Sequence, residues 1–189
     1  DTVHHALSLP IQQGWGSVDM GMSAKKKQEM RNAYGKTHAF LFDEVSMISA
    51  NQLCQIDSRL RAITGTVEPD VHFGGLLTFW FGDLRQLNPV KARRPYANPT
   101  TAGGGAGGAV FSLWRDLMLL CPLAIIERQK GDQDFAELLN RVRTADHTDK
   151  DLAVLASRVI GSPGMEEAAQ DPEVKNALRL FTTTAAVHK

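Results

Sequence analysis

The chain has no excess of charge of either sign. Its 21 Lys and Arg are balanced by 21 Asp and Glu, for a formal net charge of +0. That excludes a strongly basic nucleic-acid coat and leaves room only for local basic patches. Cysteine is scarce: Cys54 and Cys121 lie far apart and show no metal-ligand spacing. They fit buried thiols in a reducing compartment better than a disulfide framework. No apolar run approaches membrane-spanning length. The N-terminus lacks the basic-then-apolar layout of a secretory signal. It also lacks an initiator Met, and Asp1 leads straight into patterned sequence, as expected of a segment of a longer protein. The Gly-rich run from Thr101 to Gly108 is not followed by Gly-Lys-Ser/Thr. It therefore reads as a surface insertion rather than a phosphate loop.

What is present suffices for a core. The 189 residues are 43% hydrophobic, enough for one medium domain or one domain plus part of another. The chain is organised around His38 to Met47. There a short apolar run, Ala39-Phe40-Leu41-Phe42, ends abruptly in Asp43-Glu44. This is the pattern of a buried parallel strand that delivers carboxylates to a sheet edge, where ligands of α/β folds sit. One carboxylate can hold Mg²⁺ and its neighbour can position or deprotonate a water. The plainer reading is a strand end with a solvated turn.

A second apolar run follows the turn Phe73-Gly74-Gly75. Leu76 to Phe81 is β-rich, should lie beside the first run, and ends in Gly82-Asp83 with Gln86 one turn further on. A third short strand, Leu123 to Ile126, runs into Glu127-Arg128-Gln129. Helices alternate with these runs. Ser23 caps a helix to Tyr34 that Gly35 closes, and Lys25, Lys26 and Lys27 make a solvated basic face on it. Ser49 and Gln52 form a capping box for a helix whose Leu53, Ile56, Leu60 and Ile63 face a core. Arg59 and Arg61 flank that stripe as solvated residues, and Gly65 ends the helix. Phe111 to Leu120 reads as amphipathic helix. Phe135, Leu138, Leu139 and Val142 mark another helix, and Thr148 with Asp151 caps one that Gly161 closes. Asp171-Pro172 starts a last short helix, and Leu178 to Val187 is strand-like. The paired His4 and His5 point in different directions and read as surface or hydrogen-bonded residues rather than metal ligands. Strand and helix alternate throughout, which predicts an α/β fold with a largely parallel sheet and a boundary near Cys121-Pro122.

Three strand ends thus carry complementary groups: Asp43-Glu44 for metal and water, Gln86 for a phosphate oxygen and a water, Arg128 for a terminal phosphate. Those are the parts that phosphoryl transfer requires.

Here the residues resemble a family. Asp43-Glu44-Val45-Ser46-Met47-Ile48 is similar to motif II of the Pif1-like superfamily 1B DNA helicases. Phe73-Gly74-Gly75 with Gly82-Asp83-Leu84-Arg85-Gln86-Leu87-Asn88-Pro89-Val90 resembles motif III and its lead-in. Thr2-Val3-His4-His5-Ala6-Leu7 resembles motif Ia, and Arg128-Gln129 resembles motif IV. Leu180 to Thr184 is similar to a Thr-rich strand of the second motor domain. The resemblance implies a RecA-like parallel sheet with flanking helices. Residues 1–121 would be part of motor domain 1A and residues 122–189 the start of domain 2A. It implies ATP and Mg²⁺ as cofactors, with Asp43 at the metal and Glu44, Gln86 and Arg128 catalytic and nucleotide-binding. Thr2 and His4 would bind DNA. The partners would be single-stranded DNA and duplex junctions. The activity would be 5′-to-3′ unwinding in telomere maintenance, DNA repair and recombination, inside the cell, and in a eukaryote in the nucleus or mitochondrion.

There are departures from the pattern. Motif I, a Gly-rich loop with its Gly-Lys-Thr, finds no match and would lie before Asp1, and the later motifs would lie beyond Lys189. The chain by itself is therefore expected to be inactive. Asn88 stands where the family usually has Pro, His5 where it often has Ser, and Glu127 where an apolar residue is usual. The alternatives are the helicase domain of a Helitron-type transposase, a non-catalytic DNA- or protein-binding remnant of a motor, or a nucleotide-dependent switch that does not unwind.

Overall fold

The computed structural model describes residues 1–9, 22–96, 113–159, 170–177 and 180. The chain divides into two compact units, Asp1–Pro122 and Leu123–Lys189.

The first unit is built on two parallel strands, β1 (Ala39–Phe42) and β2 (Leu77–Trp80), paired in the register Ala39 to Leu77 through Phe42 to Trp80. Side chains alternate across a strand, so each strand has two faces. Phe40, Phe42 and Trp80 face the core, where Phe42 and Trp80 stack with ring centroids 4.2 Å apart. Leu41, Leu77 and Phe79 face the other way and are exposed. The apolar run of β1 therefore does not make a strand buried on both sides. Among the described residues no element covers that second face.

Helix α3 (Ala50–Thr64) lies on the core side. Its capping box is complete: Ser49 Oγ accepts from Gln52 N, and Gln52 Oε1 accepts from Ser49 N. Leu53, Ile56 and Leu60 are wholly buried, and Ile63 nearly so. Burial of this kind contributes about 1.5–3 kcal/mol per large aliphatic side chain. Helix α2 (Ala24–Tyr34), capped by Ser23, places Met30 in the same core, and Arg31 Nε donates to Ala62 O at 3.0 Å. The four-residue α1 (Val3–Ala6) is followed by Leu7 and Leu9, both buried there. The Phe73-Gly74-Gly75 turn presses onto α3. Phe73 is buried, and its N–H is accepted by Asp57 Oδ1. A Cβ on Gly74 would come within 2.7 Å of Leu60 O, and its φ of +65° already favours glycine. Residues 113–117 form a short helix, α4, whose Leu113 joins the core.

The second unit relies on a charged cluster. Helix α5 (Gln133–Thr144) is capped by Asp132, and α6 (Asp149–Ala156) by a Thr148–Asp151 box. Arg141 grips Asp151 with two parallel bonds, Nε to Oδ2 at 2.9 Å and Nη2 to Oδ1 at 2.7 Å. Thr148 donates to the same carboxylate through its N–H and its hydroxyl. The Arg141 guanidinium, with the Thr148 N–H behind it, holds the buried Asp151 carboxyl well below the usual carboxylate range. Only Ala136 and Leu138 of α5 are buried; Phe135, Leu139 and Val142 remain partly exposed. A last turn of helix, α7, spans Pro172–Lys175.

The structure corrects four expectations. Leu123 to Ile126 is not a strand, and Leu123 and Ile125 are largely exposed. A strand exists only through its ladder, and no described residue of this unit pairs with the segment. Arg59 is buried rather than solvated: its guanidinium reaches Ser8 O at 3.5 Å, and desolvation lowers its pKa. Arg61 is only half-exposed, because it closes the following loop by donating to Glu68 O and Pro69 O. Of the two thiols only Cys54 is buried, pushed up to about 11 by burial and by Asp57; Cys121 is exposed. The stretch Gln12 to Asp19, the Gly-rich run, Phe111-Ser112, Gly161 and most of the strand-like Leu178 to Val187 lie outside the described residues.

Two stability measurements follow. Gly82→Ala adds a Cβ 2.8 Å from Val45 N and should destabilise the first unit by about 1–3 kcal/mol in denaturant titration. Asp151→Asn should loosen the α5–α6 pair, read as faster amide exchange there. A carboxyl held below its ordinary value of about 3.9 stabilises at neutral pH and loses that contribution as pH falls from about 4. The difference between wild type and Asp151→Asn should therefore shrink in acid.

Candidate functional site

The two strands deliver their C-terminal ends to one edge, and the backbone locks the exits together. Phe81 N donates to Phe42 O at 2.7 Å, and Val45 N then donates back to Phe81 O at 2.9 Å. Gly82 passes so close to Val45 that no side chain fits between them, and its φ is +146°. Asp43-Glu44 and Gly82-Asp83 are thus neighbours, although about forty residues separate them along the chain.

Glu44 adopts the left-handed conformation (φ 54°, ψ 46°) and starts the 3-10 turn Val45–Met47. A non-glycine residue held there costs about 1 kcal/mol or more, and such residues cluster at functional sites. Asp43 Oδ1 accepts from Glu44 N at 2.9 Å, which fixes that carboxylate against its own turn. Both side chains are exposed, and among the described residues neither is in an ion pair. Across the edge, Asp83 Oδ1 accepts from Arg85 N and Asp83 O accepts from Gln86 N, making a tight turn that leaves Gln86 exposed. The loop beyond Gln86 is held in place. Tyr96 hydroxyl donates to Leu84 O, Ala50 N donates to Arg93 O, and Pro89 and Pro95 are buried.

The structure therefore brings Asp43, Glu44 and the Gln86 turn to one edge. Arg128 belongs to the other unit, exposed in a turn where Glu127 pairs with Lys130 at 3.3 Å. Glu127 thus has a cationic partner other than Arg128. Thr2 caps α1 by accepting from His5 N, and His4 is half-buried with Nε2 3.0 Å from Gln52 Nε2. His5 is exposed beside Asp1.

Two features escaped the sequence reading. Ser46, directly after the carboxylates, is completely buried and its hydroxyl has no hydrogen-bond partner among the described residues. Its flanking residues are apolar, which conceals it as core. The other is Gly35-Lys36-Thr37, which has the composition of a phosphate-loop end. Phosphate loops lead from a strand into a helix N-terminus with N–H groups aimed at the ligand. This tripeptide instead leaves helix α2 and enters β1. Gly35 N and Thr37 N are already bonded to Arg31 O and Tyr34 O. It cannot cradle a phosphate in that manner.

Among the described residues no three His, Cys, Asp or Glu side chains cluster as a metal cage. An edge carrying only carboxylates suits Mg²⁺, which is commonly held by one or two carboxylates, waters and substrate phosphates. With Gln86 as an amide donor and acceptor alongside, the edge can support a metal–phosphate ligand and orient a water beside it.

The family model for PIF1-like helicases matches residues 1–152. Among curated proteins, the ATP-dependent DNA helicase PIF1 of Saccharomyces cerevisiae is 28% identical over 151 residues, which is 79% of this chain and 16% of that protein. The ATP-dependent DNA helicase PIF7 of Trypanosoma brucei brucei is 31% identical over 153 residues, 76% of this chain and 14% of that one. The chain spans between 14% and 21% of the length of the curated relatives it matches. Among solved structures, Bacteroides Pif1 bound to ssDNA superposes with a TM-score of 0.60 at 27% identity, covering 85% of this chain and 37% of that one. Pif1 helicase from Candida albicans superposes with a TM-score of 0.58 at 21% identity, covering 87% and 33%, a likeness of fold alone. The fold is accordingly the α/β, RecA-like architecture of Pif1, a parallel sheet with flanking helices. With its model matched over residues 1–152, the chain belongs to the PIF1-like helicase family.

Proposed function

We propose that this chain is part of an ATP-dependent DNA helicase that moves 5′-to-3′ along single-stranded DNA and opens duplex junctions. Residues 1–121 would belong to its first RecA-like motor domain and residues 122–189 would begin the second. One observation carries the reading: Asp43-Glu44 and the Gln86 turn share an edge, in a chain of this family, and that edge is held by the Phe42–Phe81–Val45 hydrogen bonds. The curated relatives are named ATP-dependent DNA helicases, and two similar structures are of Pif1 with ssDNA and Pif1 at forked dsDNA.

In this reading Asp43 supports Mg²⁺ and Glu44 polarises the attacking water. Bound Mg²⁺ would neutralise phosphate charge as the bond to the leaving group breaks. Gln86 hydrogen-bonds the terminal phosphate and the same water. Arg128 supplies a guanidinium to the terminal phosphate from the second unit. Thr2 and His4 line the DNA path. Because net charge is zero, DNA affinity rests on a few phosphate contacts and stacking. The biological setting we propose is genome maintenance, comprising telomere maintenance, repair and recombination, in the nucleus or mitochondrion of a eukaryote. Exposed, unpaired carboxylates on a strained turn favour a working motor over a binding remnant.

Two measurements on the full-length protein test the roles. Glu44→Gln should lower ATP turnover by about 10²-fold or more while ATP binding persists, whereas Asp43→Ala should also weaken Mg²⁺-dependent binding. Wild-type turnover in Glu44→Gln would refute the assignment. Arg128→Ala should cost roughly 10³-fold or more in turnover. Gln86→Ala should keep some hydrolysis but lose its stimulation by DNA. If Arg128→Ala hydrolyses ATP normally, Arg128 does not reach the phosphate.

A further inference from the structure

Three stretches with separate proposed roles meet at the first turn of α3. Ile48 N donates to Val45 O, so the carboxylate-bearing turn runs directly into the helix cap. Ala50 N, the first N–H of the helix, donates to Arg93 O on the loop that follows Gln86. Gln52, in the same turn, reaches His4 on α1.

The chemistry of Gln52 is determined by its cap. Its Oε1 accepts from Ser49 N at 2.7 Å, which assigns the amide oxygen to the cap and the NH₂ to the other side. That NH₂ lies 3.0 Å from His4 Nε2. An NH₂ can only donate, so His4 Nε2 is an unprotonated acceptor. One side chain therefore holds both the start of α3 and the imidazole of α1. Helix α1 has four residues, too few to be stable alone. Its placement rests on burial of Leu7 and Leu9, on the Arg59 bond to Ser8 O, and on this bond, which alone of these reaches the imidazole.

We infer that Gln52 is a positioning residue that couples the DNA-contacting segment around α1 to the Asp43-Glu44 turn and the Gln86 loop. The inference rests on the proposal that His4 lies on the DNA path and that Asp43, Glu44 and Gln86 serve the nucleotide. When a strand engages α1, the displacement reaches His4, then Gln52, then the cap from which both nucleotide-side segments hang. A capping box alone would need no contact with His4.

A demonstrated coupling, rather than proximity, is what such a pathway requires. Gln52→Met and Ser49→Ala separate it from the cap. Gln52→Met keeps the length of the side chain but removes the amide that reaches His4, whereas Ser49→Ala removes one cap bond and leaves Gln52 on His4. The experiment measures, in the full-length protein, the concentration of an oligo-dT single strand that half-maximally stimulates ATP hydrolysis. Wild type, His4→Ala, Gln52→Met, Ser49→Ala and the His4→Ala, Gln52→Met double variant are compared, with thermal unfolding as the check on the cap. Gln52→Met should raise that concentration about fivefold or more. In the His4→Ala background it should add nothing, and Ser49→Ala should stay near wild type. The inference is overturned if the two effects multiply, if Gln52→Met responds to DNA like wild type, or if Ser49→Ala shifts the response as far as Gln52→Met does. A wild type that hydrolyses ATP but ignores DNA sinks the helicase reading and this inference with it. A DNA-stimulated wild type with multiplying effects sinks the coupling alone.

Discussion

Everything proposed for this chain depends on how two strand exits are tied. Phe81 bridges them, donating to Phe42 O and accepting from Val45 N. These bonds continue the β1–β2 ladder past the last paired residues and into the loops. Two parallel strands side by side place their C-terminal ends together by topology alone. The lock does more: it fixes the height at which Asp43-Glu44 leaves one strand and Gly82-Asp83 leaves the other. It also explains why residue 82 is glycine, since the backbones approach too closely for a Cβ. The left-handed turn at Glu44 is then imposed by its surroundings, because Val45 must come back to meet Phe81 while Ile48 enters the core.

The two units are stabilised by different means. The first has an apolar core in which α3 packs against the sheet, α2 and the Phe73 turn. Its outer sheet face, with Leu41, Leu77 and Phe79 exposed, has the character that a further layer of an α/β fold covers. Among its described residues the second unit buries few apolar side chains, and one carboxylate there accepts four hydrogen bonds from Arg141 and Thr148. Charge-assisted bonds of that density specify geometry strongly but respond to acid.

Much was legible in the sequence because the signals were local. The caps at Ser23, Ser49 and Thr148 and the left-handed stop at Gly65 involve groups within four residues of one another, so residue identity and spacing suffice. The apolar stripe of α3 was readable because helical periodicity is geometry. The two strand exits were readable as exits, because an apolar run that stops abruptly in carboxylates or Gly-Asp marks where a strand leaves the core.

Tertiary structure decided what depends on neighbours distant in sequence. Leu123 to Ile126 has strand composition but, among the described residues, no strand beside it, and a ladder needs a hydrogen-bonded partner. Arg59 looked like surface, yet the end of α1 folds over it. Gly35-Lys36-Thr37 has a phosphate loop's letters, but a helix ends there and a strand begins, and the N–H groups of Gly35 and Thr37 are already used. The link from His4 to Gln52 spans 48 positions and joins two short polar signals that looked unrelated. The sequence by itself determined which groups stand at the ends of which elements. Only packing decided which of those ends meet, because meeting is set by pairing register and by the burial of residues far from the site.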